Sequence, residues 1–426
     1  MKRVDTQNLK GVNDYLGTEQ RIRNKIISVL QETFEHYGYE PLDSSILYNY
    51  DVLAYKYSDE AEILKEIYTL RDQGDRKLAL RYDLTIPFCK VIANKKDLRL
   101  PLRRYEIGKV FRNGPVKLGR CREFYQCDID VVGIDGTTIE VEQMMLVINV
   151  FKKLDIDIVI KWNNRKLMSG LINYVGVPSE KIDQVISVID KLEKASKDEL
   201  VKEFEYYGIS NDIVDKLLSI FAKDLNYYNN LVTDNSLYNE GLKEVNEIND
   251  KIVKLGIKDK TKLTPSLARG LSIYTGTVFE FFDNQKRLTC SLGGGGRYNK
   301  IITEFINDGN IYPAVGLSFG LEPIYTIIKD KYENINLLDV YIIPMDTEVE
   351  SIQLAEDLRC LGINVLIEFN KRKVKRCFEY ANKENIKYVI VLGENEITNG
   401  TYQLKNMTTG EQLNLSKKEL LAYFQK

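Results

Sequence analysis

The chain has 426 residues, of which 44% are apolar and 29% are charged, and this length predicts two or three domains. Its 60 basic and 62 acidic residues give a net charge of −2, which excludes attraction to nucleic acid by overall charge, so any RNA contact requires a local basic patch. The sequence shows no apolar run near 18 residues, no signal peptide and no CxxC pair among its six cysteines; we therefore expect a cytoplasmic protein with reduced thiols and no membrane span.

The first predicted element is an amphipathic helix. Residues 19–37 carry apolar side chains at helical spacing, and Gly38 ends the helix. The only histidine of the sequence, His36, lies at the end of this helix, where a structural or solvated side chain is expected rather than a general base. Catalytic triads and metal sites that depend on histidine are therefore excluded.

A short strand around Arg81 is predicted to end in Asp83 and Thr85, which lie on one face. A carboxylate beside a hydroxyl suits an ammonium group. Either side chain could instead cap a helix that begins near Pro87, and the residues alone favour the cap.

Two predicted strands, 104–111 and 124–132, flank a glycine-containing loop that begins at Arg112. The loop can bend over a ligand, where the Arg112 guanidinium would meet an α-phosphate through two hydrogen bonds. Phe124 would offer a flat face on which a base can stack. The alternative is an exposed hairpin with solvated charges.

Polar residues alternate along the second of these strands. Gln126, Asp128 and Asp130 are two residues apart, so they face one side of the strand. That side is either exposed to solvent or part of a pocket. In a pocket, Asp130 could accept a hydrogen bond from a substrate.

Helical patterns dominate the middle of the chain. Residues 137–154 are predicted to form a helix in which Thr137 and Glu140 have the spacing of a capping box. Periodic, lysine- and glutamate-rich stretches then fill 166–262 and predict a helical insertion within a sheet domain.

Strand character returns at 275–282 and 287–292, just before the run from Gly293 to Gly296. The run matches neither GxxxxGK[ST] nor GxGxxG at the start of a helix. Close approach of neighbouring backbones is the better interpretation, with Arg297 and Tyr298 as the informative side chains beside it.

Strand and helix patterns alternate from about Leu337 to the C-terminus, which predicts a compact α/β domain. Within it, residues 371–376 read KRKVKR, with five basic residues in six. Such a run is usually a solvated surface, and an RNA-contacting patch is the alternative.

These segments resemble the histidyl-tRNA synthetases, a family of class II aminoacyl-tRNA synthetases, almost from end to end. The opening KGVNDYL, the helix ending at EHYGYEP (motif 1), residues 104–133 (motif 2) and AVGLSFGLE (motif 3) match in order. LARGLSIYTGTVFE and GGGRYN are similar to the two histidine-specific signatures, and LGENEITNGTYQLKNMTTGEQ is similar to the anticodon-binding domain.

The resemblance implies an α+β fold: a class II antiparallel sheet flanked by helices, with a helical insertion and a C-terminal α/β anticodon-binding domain. The implied limits are 1–165 and 263–333 for the two parts of the catalytic domain, 166–262 for the insertion and 334–426 for the anticodon-binding domain. Motif 1 implies a homodimer.

The implied function is histidine–tRNA ligase, with L-histidine, ATP, Mg²⁺ and tRNA(His) as substrates and partners. Arg269 and Arg112 would be catalytic, and ATP would be bound by Arg112, Arg269 and Phe124. Histidine would be bound by Asp83, Thr85, Gln126, Asp130, Tyr274 and Tyr298. The tRNA could contact Lys371, Arg372, Lys373, Lys375 and Arg376; no metal ligand is assigned.

The sequence departs from the family pattern in three places that involve four residues. Pro323 replaces the motif 3 arginine, Gly114 replaces the acidic residue of motif 2, and Ser272 and Ile273 replace the Asp and first Tyr of RGLDYYTG. These changes concern ATP handling, for which Arg120, Arg122 or Lys117 could supply another cation. They motivate one alternative, a synthetase-like subunit that senses histidine without catalysis. Pro323 together with the basic run 371–376 motivates another, a tRNA-binding paralogue.

Overall fold

The computed structural model describes residues 5–55, 62–95, 98–192, 197–269, 273–332 and 337–425. The chain divides into two compact units, one of residues 1–15 and 23–329 and the other of residues 16–22 and 330–426. The domain limits predicted from the sequence stay predictions.

The strands of the first unit are β1 (Glu40–Pro41), β2 (Leu47–Asn49), β3 (Thr69–Arg71), β4 (Lys77–Leu80), β5 (Leu102–Phe111), β6 (Glu123–Val132), β7 (Ile158–Asn164), β8 (Thr261–Leu263), β9 (Thr277–Asp283), β10 (Gly293–Arg297) and β11 (Ala314–Gly320). The helices up to residue 332 are α1 (Thr18–His36), α2 (Tyr50–Ala54), α3 (Glu62–Lys65), α4 (Thr85–Asn94), α5 (Thr138–Lys153), α6 (Arg165–Tyr174), α7 (Ile182–Ile189), α8 (Lys197–Tyr206), α9 (Asn211–Phe221), α10 (Leu225–Asn230), α11 (Ser236–Lys254), α12 (Asn299–Ile306) and α13 (Leu321–Ile328). Short 3₁₀ turns occupy Ser179–Lys181, Lys258–Lys260 and Lys329–Tyr332.

An eight-stranded sheet forms the centre of this unit, in the order β1-β5-β6-β11-β10-β9-β7-β8. Its pairs are antiparallel except β1–β5 and β7–β8. Strands β2, β4 and β3 form a separate small sheet. This arrangement is the α+β sheet that the sequence predicts.

The two faces of the large sheet have different partners. Phe281 and Phe319 pack against each other and against Phe151 of α5, while Phe34 of α1 contacts Phe319. Because side chains alternate along a strand, the residues beside these phenylalanines point away from α1 and α5. The opposite face carries the site described below.

Two local predictions are wrong. Thr137 precedes α5 but makes no capping hydrogen bond, because its hydroxyl pairs with Glu247 and Lys251 while Glu140 binds Arg297. The strand expected at 287–292 is absent from this described segment, and the glycine run itself forms β10.

The regular elements described between β7 and β8 are all helices, as the sequence predicts. Helices α6 and α11 approach closely at Gly241, where a Cβ atom would lie 2.1 Å from the Leu167 nitrogen. At Gly170 a Cβ atom would lie 2.6 Å from the Tyr238 Cα. Glycine is required at both crossings because the backbones leave no room for a side chain.

The second unit has a five-stranded sheet. Its strands are β12 (Val340–Pro344), β13 (Val365–Ile367), β14 (Tyr388–Leu392), β15 (Thr401–Asn406) and β16 (Gln412–Ser416), in the order β13-β12-β14-β15-β16. Its helices are α14 (Glu348–Cys360), α15 (Val374–Lys383), α16 (Glu394–Asn399) and α17 (Lys417–Phe424). The first three strands are parallel and the last two antiparallel, so the predicted α/β character is confirmed. Within the described ranges, no helix of either unit is long and apolar enough to cross a bilayer.

Candidate active site

Two cavities of about 250 Å³ each lie on the open face of the large sheet, and Arg112 lines both. Eight of the nine residues predicted to bind histidine or ATP line the first cavity: Asp83, Thr85, Arg112, Gln126, Asp130, Arg269, Tyr274 and Tyr298. The ninth, Phe124, lines the second cavity. The Arg112 guanidinium carbon lies 5.3 Å from the centre of the Phe124 ring, and its Nε donates to the Tyr82 carbonyl at 2.9 Å.

Strand β6 supplies the floor of the first cavity. The three alternating polar residues of this strand, Gln126, Asp128 and Asp130, all face the cavity. The pocket interpretation is therefore correct, and the solvent-exposed one is not. The Gln126 amide donates to the Ser318 hydroxyl of β11 at 3.2 Å. The pleat of the two paired strands thus sets these side chains side by side.

Asp130 is held from two sides. Its Oδ2 lies 2.5 Å from the Arg104 guanidinium, and its Oδ1 accepts the Tyr298 hydroxyl. A Cβ atom at Gly316 would lie 1.9 Å from Oδ1, so the facing strand has room only for glycine. Burial raises the pKa of Asp130, and Arg104 opposes that rise.

Asp83 caps a helix and also lines the first cavity, while its contact with an ammonium group stays a prediction. Its Oδ1 accepts the Ile86 N–H at 3.2 Å, which closes the first turn of α4, and the same carboxylate lines the cavity. Helix α4 begins at Thr85, two residues before the predicted start. Burial raises the pKa of Asp83 to about 6, against the opposing charge of Arg112.

Arg269 lies against the glycine strand β10. A Cβ atom at Gly294 would be 2.6 Å from its Nη1, so only glycine leaves space for this guanidinium. Nη1 is buried and has no hydrogen-bond partner among the described residues. The guanidinium carbon is 5.2 Å from the Tyr274 ring centre, and Nε is 3.9 Å from Glu280. A donor is therefore free to meet a ligand oxygen.

A model of the family described as histidyl-tRNA synthetase matches residues 11–324, and one described as an anticodon binding domain matches residues 339–426. The chain belongs to the histidyl-tRNA synthetase family.

Known synthetases of this family are similar over their full length. A Bacillus cereus protein named histidine–tRNA ligase 1 is 44% identical over 427 residues, covering 99% of this chain and 100% of that protein. The crystal structure of the Nostoc sp. PCC 7120 histidyl-tRNA synthetase is 27% identical, covers 99% of both chains and superposes with a TM-score of 0.84. The predicted family and fold class are confirmed.

A third comparison concerns the fold alone. A Bacillus halodurans structure described as an ATP phosphoribosyltransferase regulatory subunit/histidyl-tRNA synthetase is 20% identical. It covers 92% of this chain and 99% of that one, with a TM-score of 0.76.

Two of the departures from the synthetase pattern, Pro323 and Gly114, lie at the second cavity, whereas Ile273 lines the first. Pro323, in the first turn of α13, lines the second cavity together with Gly114 and Arg120. A Cβ atom at Gly114 would lie 2.7 Å from a carboxylate oxygen of Glu66, so that carboxylate fills the space beside the glycine. Of the three candidate replacement cations, Arg120 lines the cavity, whereas the Arg122 Nε donates to the Gly114 carbonyl at 3.3 Å. Ser272 lies outside the described residues.

Three acidic residues of the first cavity received no role from the sequence. Asp128 stood on the correct face without an assignment, and Asp190 and Glu280 also line the first cavity. Asp190 directly follows α7 of the insertion, and no sequence signal connects it with the sheet. Arg104 was missed as well, because a cation within a strand of β-forming residues gives no indication of its partner.

The basic segment 371–376 belongs to the second unit. All five of its basic side chains are exposed: Lys371, Arg372, Lys373, Lys375 and Arg376. Lys371 lies 3.5 Å from Glu348 and Arg372 3.6 Å from Glu368. Contact with tRNA stays a prediction. In the described part of the chain, no group of three or more His, Cys, Asp or Glu side chains is arranged as a metal site.

Proposed function

We propose that this chain is a histidine–tRNA ligase that makes histidyl-adenylate from histidine and ATP and transfers histidine to tRNA(His). The observation that carries the proposal is the similarity to a histidine–tRNA ligase over 99% of this chain. The cavity that unites the motif residues supports it.

The first step is attack of the histidine carboxylate on the α-phosphorus of ATP. A new O–P bond forms, the bond to the bridging oxygen breaks, and diphosphate leaves. The attacking carboxylate is already ionised, so the step needs no protein base. Negative charge on the phosphorus oxygens is stabilised by Arg112 and by the free donor of Arg269.

Mg²⁺ enters with ATP as the Mg·ATP substrate, because this ion binds chiefly to phosphate oxygens and water. Phe124 stacks on the adenine in the second cavity, next to the Arg112 guanidinium. Arg120 provides the cation there that Pro323 cannot.

Histidine lies in the first cavity. Asp83 and Thr85 hold its α-ammonium group, and Gln126, Asp130, Tyr274 and Tyr298 surround its imidazole ring. Burial raises the pKa of both tyrosines, so each hydroxyl keeps its proton. Tyr298 donates its hydroxyl proton to Asp130 in a hydrogen bond, whereas Tyr274 can donate to the ring.

In the second step the terminal adenosine of tRNA attacks the carbonyl of the adenylate, and AMP leaves. The unit that matches an anticodon binding domain supplies a second contact with the tRNA, and its basic segment binds phosphates. We further propose a cytoplasmic homodimer in which α1, the motif 1 helix, forms part of the interface.

A histidine sensor without catalysis is the second candidate, and Pro323 and Gly114 in the second cavity motivate it. The similarity in fold to a protein described in part as a regulatory subunit is consistent with it. It ranks below the ligase because residues 339–426 match an anticodon binding domain, which a sensor does not need.

Amino-acid-dependent ATP–diphosphate exchange separates these candidates. The purified protein is expected to exchange with histidine and not with the other amino acids. Histidine binding without exchange would identify a sensor, and tRNA binding independent of histidine would identify a tRNA-binding paralogue.

A further inference from the structure

A buried ion pair borders the second cavity. Two hydrogen bonds, of 2.5 and 3.0 Å, join the Arg23 guanidinium of α1 to the Glu322 carboxylate of α13. Arg23 is 2% exposed and Glu322 6%. Glu322 lines the second cavity, whereas Arg23 is not among the residues that line it. The pair therefore meets this cavity through its negative member.

Aromatic rings surround the positive member of the pair. The Arg23 guanidinium carbon lies 3.9 Å from the centre of the Tyr15 ring, 5.7 Å from that of Tyr125 and 5.8 Å from that of Tyr325. Ring faces attract a guanidinium group but do not neutralise it. The charge of Arg23 is thus balanced by Glu322, and the rings keep the guanidinium in place behind the carboxylate.

Glu322 also lies at the centre of the residues proposed to bind ATP. Its Oε1 accepts the backbone N–H of Tyr125 at 3.2 Å, and Tyr125 directly follows Phe124, the proposed platform for adenine. On the other side, Glu322 directly precedes Pro323, which replaces the motif 3 arginine. The charge of this carboxylate is therefore felt where the nucleotide would bind.

An unpaired carboxylate at this wall would oppose binding of a triphosphate. Removing one partner of a buried ion pair leaves an uncompensated charge, and like charges repel strongly where water is excluded. Of the described residues that line the second cavity, Arg112 and Arg120 are the cationic ones. Because proline stands at position 323, the residue next to Glu322 supplies no charge that could offset it.

We propose that Arg23 is a positioning residue for ATP, which neutralises Glu322 at the wall of the second cavity and so prevents this carboxylate from repelling the nucleotide phosphates. Arg23 acts through Glu322 and touches no substrate itself. This inference rests on the proposed function, because it assumes that ATP occupies the second cavity.

The test is histidine-dependent ATP–diphosphate exchange by variants that remove one charge of the pair or both. Arg23→Gln leaves Glu322 unpaired and is expected to raise KM for ATP about tenfold. This is roughly the effect of one unit charge about 10 Å away at an effective dielectric constant of about 20. KM for histidine is expected to stay near the wild-type value, because Glu322 does not line the first cavity.

The opposite variant separates charge from structure. Glu322→Gln removes the negative charge and leaves Arg23 against the Tyr15 ring, so KM for ATP is expected to fall or stay unchanged. The double variant Arg23→Gln/Glu322→Gln leaves neither charge unpaired and is expected to restore a KM for ATP near the wild-type value. Arg23→Lys keeps the charge and is expected to raise KM for ATP less than Arg23→Gln does. A merely structural role predicts instead that both single Gln variants raise KM for ATP, since both disturb the same two hydrogen bonds.

A thiol in the second cavity reports the charge balance without any substrate. Burial raises the pKa of Cys121, the charge of Glu322 raises it further, and the charge of Arg23 lowers it. Because the thiolate is the reactive form, Arg23→Gln is expected to slow alkylation of Cys121 by iodoacetamide at least about twofold, and Glu322→Gln to accelerate it. Mass spectrometry of the modified peptides measures both rates, with the exposed Cys360 as internal reference.

Arg103→Gln is the matched control, because it breaks a pair with Glu142, of 2.6 Å, that lies outside both cavities. Its KM for ATP is expected to stay at the wild-type value. Thermal melts show which variants are folded, since loss of one partner of a buried pair is strongly destabilising. If Arg23→Gln does not fold, Glu322→Gln alone decides.

A raised KM for ATP in Glu322→Gln, an unchanged one in folded Arg23→Gln, or equal Cys121 alkylation rates in the two variants would overturn the role of Arg23. A wild-type protein that binds no ATP in calorimetric titration, or that shows no exchange with histidine, would instead refute the proposed function.

Discussion

Arg269 and Arg112 are the two guanidinium groups that line the first cavity, and the proposed adenylate formation depends on their charge. Arg269 has a buried, unengaged Nη1, whereas Arg112 is anchored through Nε to the Tyr82 carbonyl. A donor held in place before the reaction stabilises developing charge without reorganisation. Arg269 is thus the better single test of the mechanism.

Arg269→Ala is expected to lower kcat of histidine-dependent ATP–diphosphate exchange about 10²- to 10³-fold, which is the usual cost of one preorganised donor. Exchange at saturating histidine and ATP measures it. Arg71→Ala is the control, since this arginine is 62% exposed and pairs with Asp75 away from the cavities. Normal exchange by Arg269→Ala would refute the assigned role.

Much of the candidate site could be predicted at this scale because class II motifs are local. Eight of the nine assigned residues share one cavity, although their roles stay predictions. Asp128 could not be assigned a role. Its Oδ1 has no hydrogen-bond partner among the described residues, and Arg104 of the neighbouring strand lies against Asp130 instead. The sequence pattern does not show which carboxylate Arg104 contacts.

Strand β10 shows why the prediction of strands from sequence fails where neighbouring backbones pack closely. Glycine is a poor strand former, yet the run pairs with both β9 and β11. A Cβ atom at Gly295 would lie 2.0 Å from the Gly316 carbonyl oxygen. The sequence correctly predicts that backbones approach closely at this glycine run. It does not predict that the run itself forms a strand. The failed capping box at Thr137 has a similar cause, since Glu140 pairs with the distant Arg297.

Gly295→Ala is expected to destabilise the protein by about 3 kcal/mol, because the obstructing atoms are backbone and cannot rotate away. Urea denaturation measures the change. Gly74→Ala is the control: its Cβ atom would meet nothing closer than 3.5 Å, so a change within about 0.5 kcal/mol is expected. Wild-type stability of Gly295→Ala would contradict this description of the sheet.

At the scale of the whole molecule, the sequence predicts two kinds of domain correctly, because the C-terminal alternation of strands and helices differs plainly from the motif-bearing sheet. The two units match separate family models. Their functions should therefore be separable by mutation. The basic segment 371–376 offers that separation, since it lies in the second unit and the two cavities lie in the first.

The double variant Lys373→Ala/Lys375→Ala is expected to lower kcat/KM for tRNA about tenfold. The slope of the logarithm of the tRNA affinity against the logarithm of salt concentration is expected to become shallower, as for the loss of about two phosphate contacts. ATP–diphosphate exchange is expected to stay at the wild-type rate. Lys383→Ala/Lys418→Ala removes two exposed lysines of the same unit and serves as the control. Equal effects of the two double variants would show that the segment is only a solvated surface.

Ligase function is tested most directly by measuring attachment of radiolabelled histidine to tRNA(His) by the purified protein with Mg·ATP. We expect histidyl-tRNA formation that requires ATP and tRNA(His) and is absent with other amino acids. Failure to charge tRNA(His), by a folded protein that binds histidine, would contradict ligase function.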